Sequence, residues 1–100
     1  MTTPKQTLIA ARALIADERR WTKRAKARDE YGLIATPTDE RAICFCSIGA
    51  IEKVCCRYVE QINARQQLNS VISMSLSIYN DTHTHAEVLA MFDKAIEAAE

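Results

Sequence analysis

The scarcity of chain-breaking residues is the feature that most limits how this chain can fold. Its 100 residues contain only two glycines and two prolines, at positions 32 and 49 and at positions 4 and 37. A fold made only of β-strands needs many tight turns, which glycine and proline favour, so this composition argues against one. The abundant Ala, Leu, Ile, Arg, Glu and Gln favour helices. We therefore expect an all-α or mainly α fold: a compact bundle of about four helices with a loop or small β-hairpin between the first two, forming a single domain over residues 1–100.

The first and last helices have the clearest starts. Thr3 is an N-cap residue followed by proline, and apolar residues then recur at helical spacing, which predicts a helix over residues 4–17. Thr84 and Glu87 have the spacing of a capping box, in which the hydroxyl and the carboxylate bond reciprocally to backbone N–H groups. We expect the last helix to begin there, after a connecting turn at residues 80–83.

A long central helix is expected next. Thr36 can cap it, a proline follows at its first position, and Asp39 and Glu40 place negative charge near the positive end of the helix dipole. Apolar residues then continue in steps of three or four, which predicts a helix over residues 37–62. Gly49 in its middle predicts a close crossing with another helix.

Two segments allow more than one interpretation. The apolar residues between 64 and 78 favour a third helix, but residues 72–78 also alternate strictly between apolar and polar side chains, which leaves a strand over residues 71–79 as the alternative. Within residues 21–36, alternating basic and small side chains run into a polar turn that contains Gly32. This segment is expected to form a loop or a small hairpin.

The charges cancel overall but are unevenly distributed. Residues 1–28 carry eight Lys or Arg and two Asp or Glu, whereas residues 29–100 carry five and eleven, which gives +6 and −6. The basic residues between 19 and 28 surround Trp21, and cations around an aromatic ring can bind phosphates and stack on bases. No recognition helix, zinc finger or RNA-binding sheet motif accompanies them, so we favour a solvated surface with Trp21 as a core anchor.

Two groups of side chains are of types that bind metals. The cysteines lack the C-x2–4-C spacing of structural zinc sites and are expected to be buried, reduced thiols; they are Cys44, Cys46, Cys55 and Cys56. Asp81, His83 and His85 could ligate a divalent metal or transfer protons, but no further ligand accompanies them. We favour a role in closing a helix end for this group. The sequence therefore predicts no catalytic residue, metal ligand or cofactor.

Several short motifs, taken in order, resemble a known family. They are Trp21, then Cys46-Ser47-Ile48-Gly49-Ala50, then Asn80-Asp81, then Thr84-His85-Ala86-Glu87-Val88. This order resembles an uncharacterised family of small bacterial and phage proteins, classed as a domain of unknown function, with the layout Trp…C-x-x-G-A…N-D…T-H-x-E-V. The signature residues that the resemblance implies are Trp21, Cys46, Gly49, Ala50, Asn80, Asp81, Thr84, His85 and Glu87. It implies no activity, cofactor or partner.

These observations favour a non-enzymatic protein-interaction or self-associating module. Wide apolar stripes and opposite charges on two parts of the chain indicate contact surfaces rather than chemistry. The candidate interaction surface comprises Trp21, Lys23, Arg24, Lys26, Arg28, Asn80, Asp81, His83 and His85. The alternatives are a small nucleic-acid-binding protein that uses residues 19–28 and a metal-dependent enzyme at Asp81, His83 and His85.

The expected partner is another protein or a second copy of the chain, and not a membrane. No apolar run approaches the ~18 residues that a membrane-spanning helix needs. Residues 1–14 also lack the basic start, apolar run and cleavage site of a secretory signal, so a cytoplasmic location is expected.

Overall fold

Five helices and a small sheet form the part of the chain that the structure describes. The structure is a computed structural model, and it describes residues 3–99. In chain order the elements are α1 (Pro4–Leu14), a 3₁₀ turn (Glu18–Arg20), β1 (Ala27–Arg28), β2 (Ile34–Ala35), β3 (Cys44–Phe45), α2 (Ser47–Val54), α3 (Tyr58–Asn69), α4 (Leu76–Thr82) and α5 (His85–Ala98). The prediction of a mainly α fold is confirmed, but the architecture is not a four-helix bundle alone.

Two of the three predicted capping residues, Thr3 and Thr84, begin helices. The Thr3 hydroxyl accepts the Gln6 N–H at 3.1 Å, and the Thr3 N–H donates to the Gln6 side chain at 3.0 Å. At the start of α5, the Thr84 hydroxyl accepts the Glu87 N–H at 3.2 Å, and the Thr84 N–H donates to the Glu87 carboxylate at 2.9 Å. Each box satisfies N–H groups that a helix N-terminus leaves without partners.

The end predicted for the first helix is wrong by three residues. α1 ends at Leu14 rather than at residue 17, because the Asp17 carboxylate accepts the Arg19 N–H and begins the 3₁₀ turn instead. Hydrogen bonds from the Arg19 guanidinium and from its backbone N–H lower the pKa of Asp17 to about 2. The carboxylate therefore stays ionised, as a strong acceptor at this bend.

The hairpin predicted within residues 21–36 is present. β1 and β2 pair in antiparallel register. At the turn, the Asp29 carboxylate accepts the N–H groups of Tyr31 and Leu33. Gly32 has φ of +80°, the left-handed conformation that such a turn places on glycine.

A third strand, which the sequence did not predict, extends the sheet. β3 pairs antiparallel with β1, so the strand order is β2-β1-β3. Ala27 and Phe45 face each other in this pairing and are fully buried, so this side of the sheet belongs to the core. On the far side of β3, Phe45 forms an isolated β-bridge with Trp21, and the Phe45 C=O accepts the Thr22 N–H at 3.1 Å.

The helix predicted over residues 37–62 is wrong in its first part. Thr36 does not cap a helix, and residues 36–43 contain turns leading into β3. In these turns the Asp39 carboxylate accepts the Arg41 N–H at 2.8 Å and also binds the Arg41 guanidinium. Such local side-chain bonds compete with helical hydrogen bonding, which explains why the capping signal failed here.

The rest of the predicted central helix is two helices. α2 begins after Cys46, and residues 55–57 separate it from α3. Cys55 has an extended backbone, and the Gln61 side-chain amide donates to its C=O at 2.6 Å. At this break, a backbone carbonyl at the end of α2 thus accepts a hydrogen bond from a side chain of α3.

Residues 64–78 form neither one helix nor the strand considered for residues 71–79. α3 ends at Asn69, turns and bends occupy residues 70–75, and α4 follows. The Ser70 hydroxyl donates to the Gln67 C=O in the last turn of α3, and the Ser75 hydroxyl caps α4. Serine favours helix ends for this reason, and here it ends one helix and begins the next.

The core lies where α1 meets α2, α3 and α5. The largest fully buried apolar side chains are Phe45, Phe92, Leu8, Ile15, Ile51, Leu68 and Val88. They belong to one cluster that also includes the inner side of the sheet. Among residues 3–99, no helix has both the length and the apolar character needed to cross a membrane.

Gly49 lies at a close approach, but not between two helices as predicted. A Cβ atom built on Gly49 would lie 1.8 Å from the Lys26 backbone oxygen and 2.7 Å from its carbonyl carbon. The Lys26 C=O also accepts the Cys46 N–H at 3.1 Å. The first turn of α2 is therefore pressed directly against the chain entering β1, and a side chain larger than hydrogen does not fit there.

We predict that Gly49→Ala destabilises the protein by about 2–4 kcal/mol, because backbone must move to admit the methyl group. Urea unfolding followed by circular dichroism measures the change. Gly32→Ala is the control, since nothing lies within 4 Å of that position and only its positive φ is strained. Its expected cost is about 1 kcal/mol. Equal stability of Gly49→Ala and the unchanged chain would contradict the close approach.

Candidate functional site

The side-chain amide of Asn80 joins three segments of the chain. The sequence predicted a turn here, but Asn80 lies in α4 with 1% of its surface exposed. Its Oδ1 accepts hydrogen bonds from Trp21 Nε1 at 2.9 Å and from the N–H and hydroxyl of Ser47 at 3.0 and 2.8 Å. Its Nδ2 donates to the Thr22 C=O at 3.0 Å and to the Asp81 carboxylate at 3.3 Å. One buried amide thus connects α4 to the start of α2 and to the segment before β1.

The neighbouring carboxylate, that of Asp81, binds a residue that has an unusual backbone conformation. Its Oδ1 accepts the Arg24 N–H at 2.9 Å. Arg24 has φ of +65°, a left-handed conformation that costs a residue other than glycine about 1–2 kcal/mol. The hydrogen bond to an ionised acceptor offsets that cost and fixes the bend that leads into β1.

Trp21 packs against a histidine ring and a lysine. Its ring centroid lies 5.4 Å from that of His85 and 5.3 Å from the Lys23 ammonium. His85 Nε2 lies 2.7 Å from the Ile15 C=O, and because a carbonyl can only accept, this nitrogen carries a proton. His85 therefore connects the residue after α1 to Trp21.

Cys46 acts here as a helix cap. Its Sγ accepts the Gly49 N–H at 3.3 Å. Burial raises the pKa of the Cys46 thiol, so the sulfur remains protonated at neutral pH and is a poor nucleophile. A cavity of about 270 Å³ lies beside it, lined among others by Arg24, Lys26, Leu76, Asn80 and Asp81. The geometry gives this cysteine a structural role.

Six of the nine signature residues, which are far apart in the sequence, therefore meet around one buried amide. The residues that lie in or directly against this network are Trp21, Cys46, Gly49, Asn80, Asp81 and His85. A model of the family described as a family of unknown function, DUF6197, matches residues 1–98. The chain belongs to this family. The resemblance inferred from the motifs is confirmed at the level of the family, whereas a bacterial or phage origin and the motif layout stay predictions.

Neither a curated protein nor a solved structure matches this DUF6197 chain. The positions of its own side chains therefore carry the information about its function.

The structure does not bring Asp81, His83 and His85 together. His83 Nδ1 lies 2.9 Å from the Tyr79 C=O, and its ring stacks on Tyr79 at 3.7 Å, whereas His85 reaches back to the residue after α1. Asp81 is occupied by Arg24 and Asn80. Among residues 3–99, no group of three or more His, Cys, Asp or Glu side chains could hold a metal ion.

The four cysteines are also dispersed. All are free thiols in the structure. The expectation of burial is confirmed for Cys46 and Cys55, but it is wrong for Cys56, which is exposed, and Cys44 is only partly buried. Cys56 lies in the break between α2 and α3. The continuous helix predicted from the sequence did not include this break.

Most of the candidate basic surface is engaged within the molecule. The Arg28 guanidinium donates to the Thr22 hydroxyl and to the carbonyls of Lys23 and Gly32. Lys26 forms an ion pair with Glu52 at 2.8 Å, and Lys23 lies over Trp21. These contacts brace the base of the hairpin, and Arg24 and Lys26 are the exposed cations of the four.

The surface that the sequence did not single out is the hairpin itself. Around it, Tyr31 is 80% exposed, Leu33 63%, Ile34 73% and Ile43 45%. The available signal was an uncharged stretch, residues 31–38, directly after Asp29 and Glu30. The candidate surface predicted from the sequence includes the basic residues before the turn and omits these apolar residues.

We predict that Asn80→Ala destabilises this DUF6197 protein by about 3–5 kcal/mol, because the Trp21 indole N–H, the Ser47 donors and the Thr22 C=O lose a buried partner. Urea unfolding measures the loss, and Trp21 fluorescence should shift to longer wavelength in the folded variant. Asn63→Ala on the exposed side of α3 is the matched control, with an expected change within ~0.5 kcal/mol. A loss below ~1 kcal/mol for Asn80→Ala would contradict the role assigned to the amide.

Proposed function

We propose that the chain is a protein-interaction module whose contact surface is the hairpin. The observation that carries this proposal is the exposure of four large apolar side chains around one short sheet, namely Tyr31, Leu33, Ile34 and Ile43. Large exposed apolar side chains concentrated in one part of a structure mark contact sites on proteins. Aromatic side chains such as Tyr31 also contribute strongly to protein interfaces.

The hairpin is a better candidate than the other exposed apolar residues. Val54, Tyr58 and Val59 are also exposed, around the junction of α2 and α3. Within that set Arg57 interrupts the apolar residues and Lys53 and Glu60 flank them, whereas the stretch from Tyr31 to Ile34 contains no charge. Charged neighbours keep apolar residues solvated, so the hairpin presents the less protected surface.

The buried network supports this role by fixing the base of the hairpin. The Asn80 amide holds Trp21 and Thr22, the Asp81 carboxylate holds Arg24, and the guanidinium of Arg28 spans the hairpin from Thr22 to Gly32. A surface that is already ordered loses less entropy on binding. The signature residues would then hold the contact surface in position, although few of them belong to that surface.

The two other functions considered receive less support. Nucleic-acid binding by residues 19–28 needs cations free to contact phosphates, and four of the six cations there have a partner within the molecule, namely Arg19, Lys23, Lys26 and Arg28. A metal-dependent enzyme at Asp81, His83 and His85 needs these side chains at one point, and they bind different partners. We place the module in the cytoplasm, where free thiols such as Cys56 stay reduced.

Photo-crosslinking in the cells that encode the chain tests this proposal. A photoreactive phenylalanine analogue replaces Tyr31 in one variant and Ile9, an apolar residue of α1 that is 48% exposed, in the control. We expect a protein adduct, either a second copy or another protein, at position 31 and a much weaker one at position 9. Equal adducts at the two positions, or adducts to nucleic acid alone at position 31, would overturn the proposal.

A further inference from the structure

A hollow between α3 and α4 lies apart from the hairpin. It has a volume of about 620 Å³ and is lined, among others, by Ile48, Ile62, Arg65, Gln66, Leu76 and Ser77. Sites for small molecules in proteins have volumes of about 300–1,000 Å³. Residues 27–35, all of which the structure describes, do not line this α3–α4 hollow. A ligand bound there would therefore be separate from the contact surface proposed above.

The floor of the α3–α4 hollow is apolar. Leu76 is 4% exposed, and Ile48 packs against the hydrophobic core. Ile62, on α3, is half-buried. Apolar side chains at the base of a concave surface favour a ligand with an apolar body, because binding removes both apolar surfaces from water.

The Asn80 amide holds two sides of this hollow in place. Its Oδ1 accepts hydrogen bonds from the N–H and the hydroxyl of Ser47, and Ile48 is the next residue in α2. Leu76 and Ser77 lie in α4, the helix that contains Asn80. The α3–α4 hollow is thus formed before a ligand arrives, which reduces the entropy lost on binding.

A single cation determines the charge of the hollow. Arg65 is the only charged residue among the described residues that line it. Within residues 3–99, the Arg65 guanidinium has neither a hydrogen bond nor an ion pair, whereas Arg12, Arg28 and Arg41 are all bound by partners in the molecule. No carboxylate of the described lining competes for Arg65, so it can bind an anion from solution.

Two further side chains provide hydrogen-bond donors at the hollow. The Gln66 side-chain amide has no partner in the part of the chain that the structure describes. Ser77 Oγ lies 3.5 Å from Ser75 Oγ, and one hydroxyl proton suffices for that contact, so the other stays available. Together with Arg65, these donors favour a ligand group that accepts hydrogen bonds.

We infer that the α3–α4 hollow binds a small organic acid, with its carboxylate on Arg65 and its hydrocarbon body on the apolar floor. A guanidinium presents parallel N–H groups that match the two oxygens of a carboxylate. An inorganic anion would bind Arg65 but leave Ile48, Ile62 and Leu76 in contact with water, and a neutral hydrocarbon would leave Arg65 without an anion. An amphipathic carboxylate uses both features of the hollow.

Titration with octanoate, followed by nuclear magnetic resonance of the nitrogen-15-labelled chain, tests this site. We expect saturable shifts of the backbone N–H signals of Arg65, Gln66 and Ser77 at millimolar octanoate. Arg65→Gln should weaken binding about tenfold, because a charged hydrogen-bonded pair is lost. Arg57→Gln is the matched control, since Arg57 is an exposed arginine at the start of the same helix and does not line the hollow. No saturable shift at these residues, or an equal loss of affinity in both variants, would overturn the inference.

Two comparison ligands separate the contribution of the charge from that of the apolar floor. Octanol keeps the hydrocarbon chain without the charge, and acetate keeps the charge without the chain. Each should bind at least about tenfold more weakly than octanoate. Octanol that bound as tightly as octanoate would overturn the inference, and so would acetate that bound as tightly.

A carboxylate placed inside the hollow gives a third measurement. Ile62→Glu should abolish octanoate binding, because the new charge lies beside Arg65 and repels the ligand. Val59→Glu, on the same helix but outside the hollow, is the control and should retain it. Retained binding by a folded Ile62→Glu variant would overturn the inference. Crosslinking at Tyr31 is a separate measurement, so either proposal can fail while the other stands.

Discussion

The buried side-chain amide of Asn80 is the interaction on which the arrangement of the remaining elements depends. Removing an amide from water without partners costs several kcal/mol, so its burial requires that donors and acceptors from other segments surround it. Trp21, Thr22 and Ser47 supply them, from positions 33 to 59 residues away in the chain. The start of α2, the end of α4 and the entry to the sheet are thereby fixed relative to one another.

The contacts next to this amide extend its effect to the hairpin. Asp81 holds the bend at Arg24, and the glycine at position 49 lets α2 approach the Lys26 carbonyl directly. The hairpin begins immediately after these two contacts and projects Tyr31 and Ile34 away from the core. The proposed interaction function depends on this arrangement, in which the base of the hairpin is fixed and its apolar tip is exposed.

The sequence predicted those features that depend on neighbouring residues. The N-cap at Thr3, the capping box at Thr84 and the turn at Gly32 are local, and all three are present. The breaks at residues 55–57 and 70–75 were missed because apolar residues continue at helical spacing across both. β3 was missed because its position depends on pairing with β1, and Asn80 was assigned to a turn because its partners are distant in sequence. Asparagine favours turns because of local hydrogen bonds to the backbone, and this preference is the same whether its amide faces water or a buried indole.

Hydrogen exchange of the Trp21 indole N–H, followed by nuclear magnetic resonance, tests most directly whether the Asn80 amide organises the fold. If this hydrogen bond is broken only when the protein unfolds, the indole proton should exchange as slowly as the backbone N–H groups of α5, although part of the Trp21 ring is exposed. An indole proton that exchanged as rapidly as the backbone N–H groups of the exposed hairpin turn would contradict the account, because the bond to Asn80 would then open without disturbing the rest of the structure.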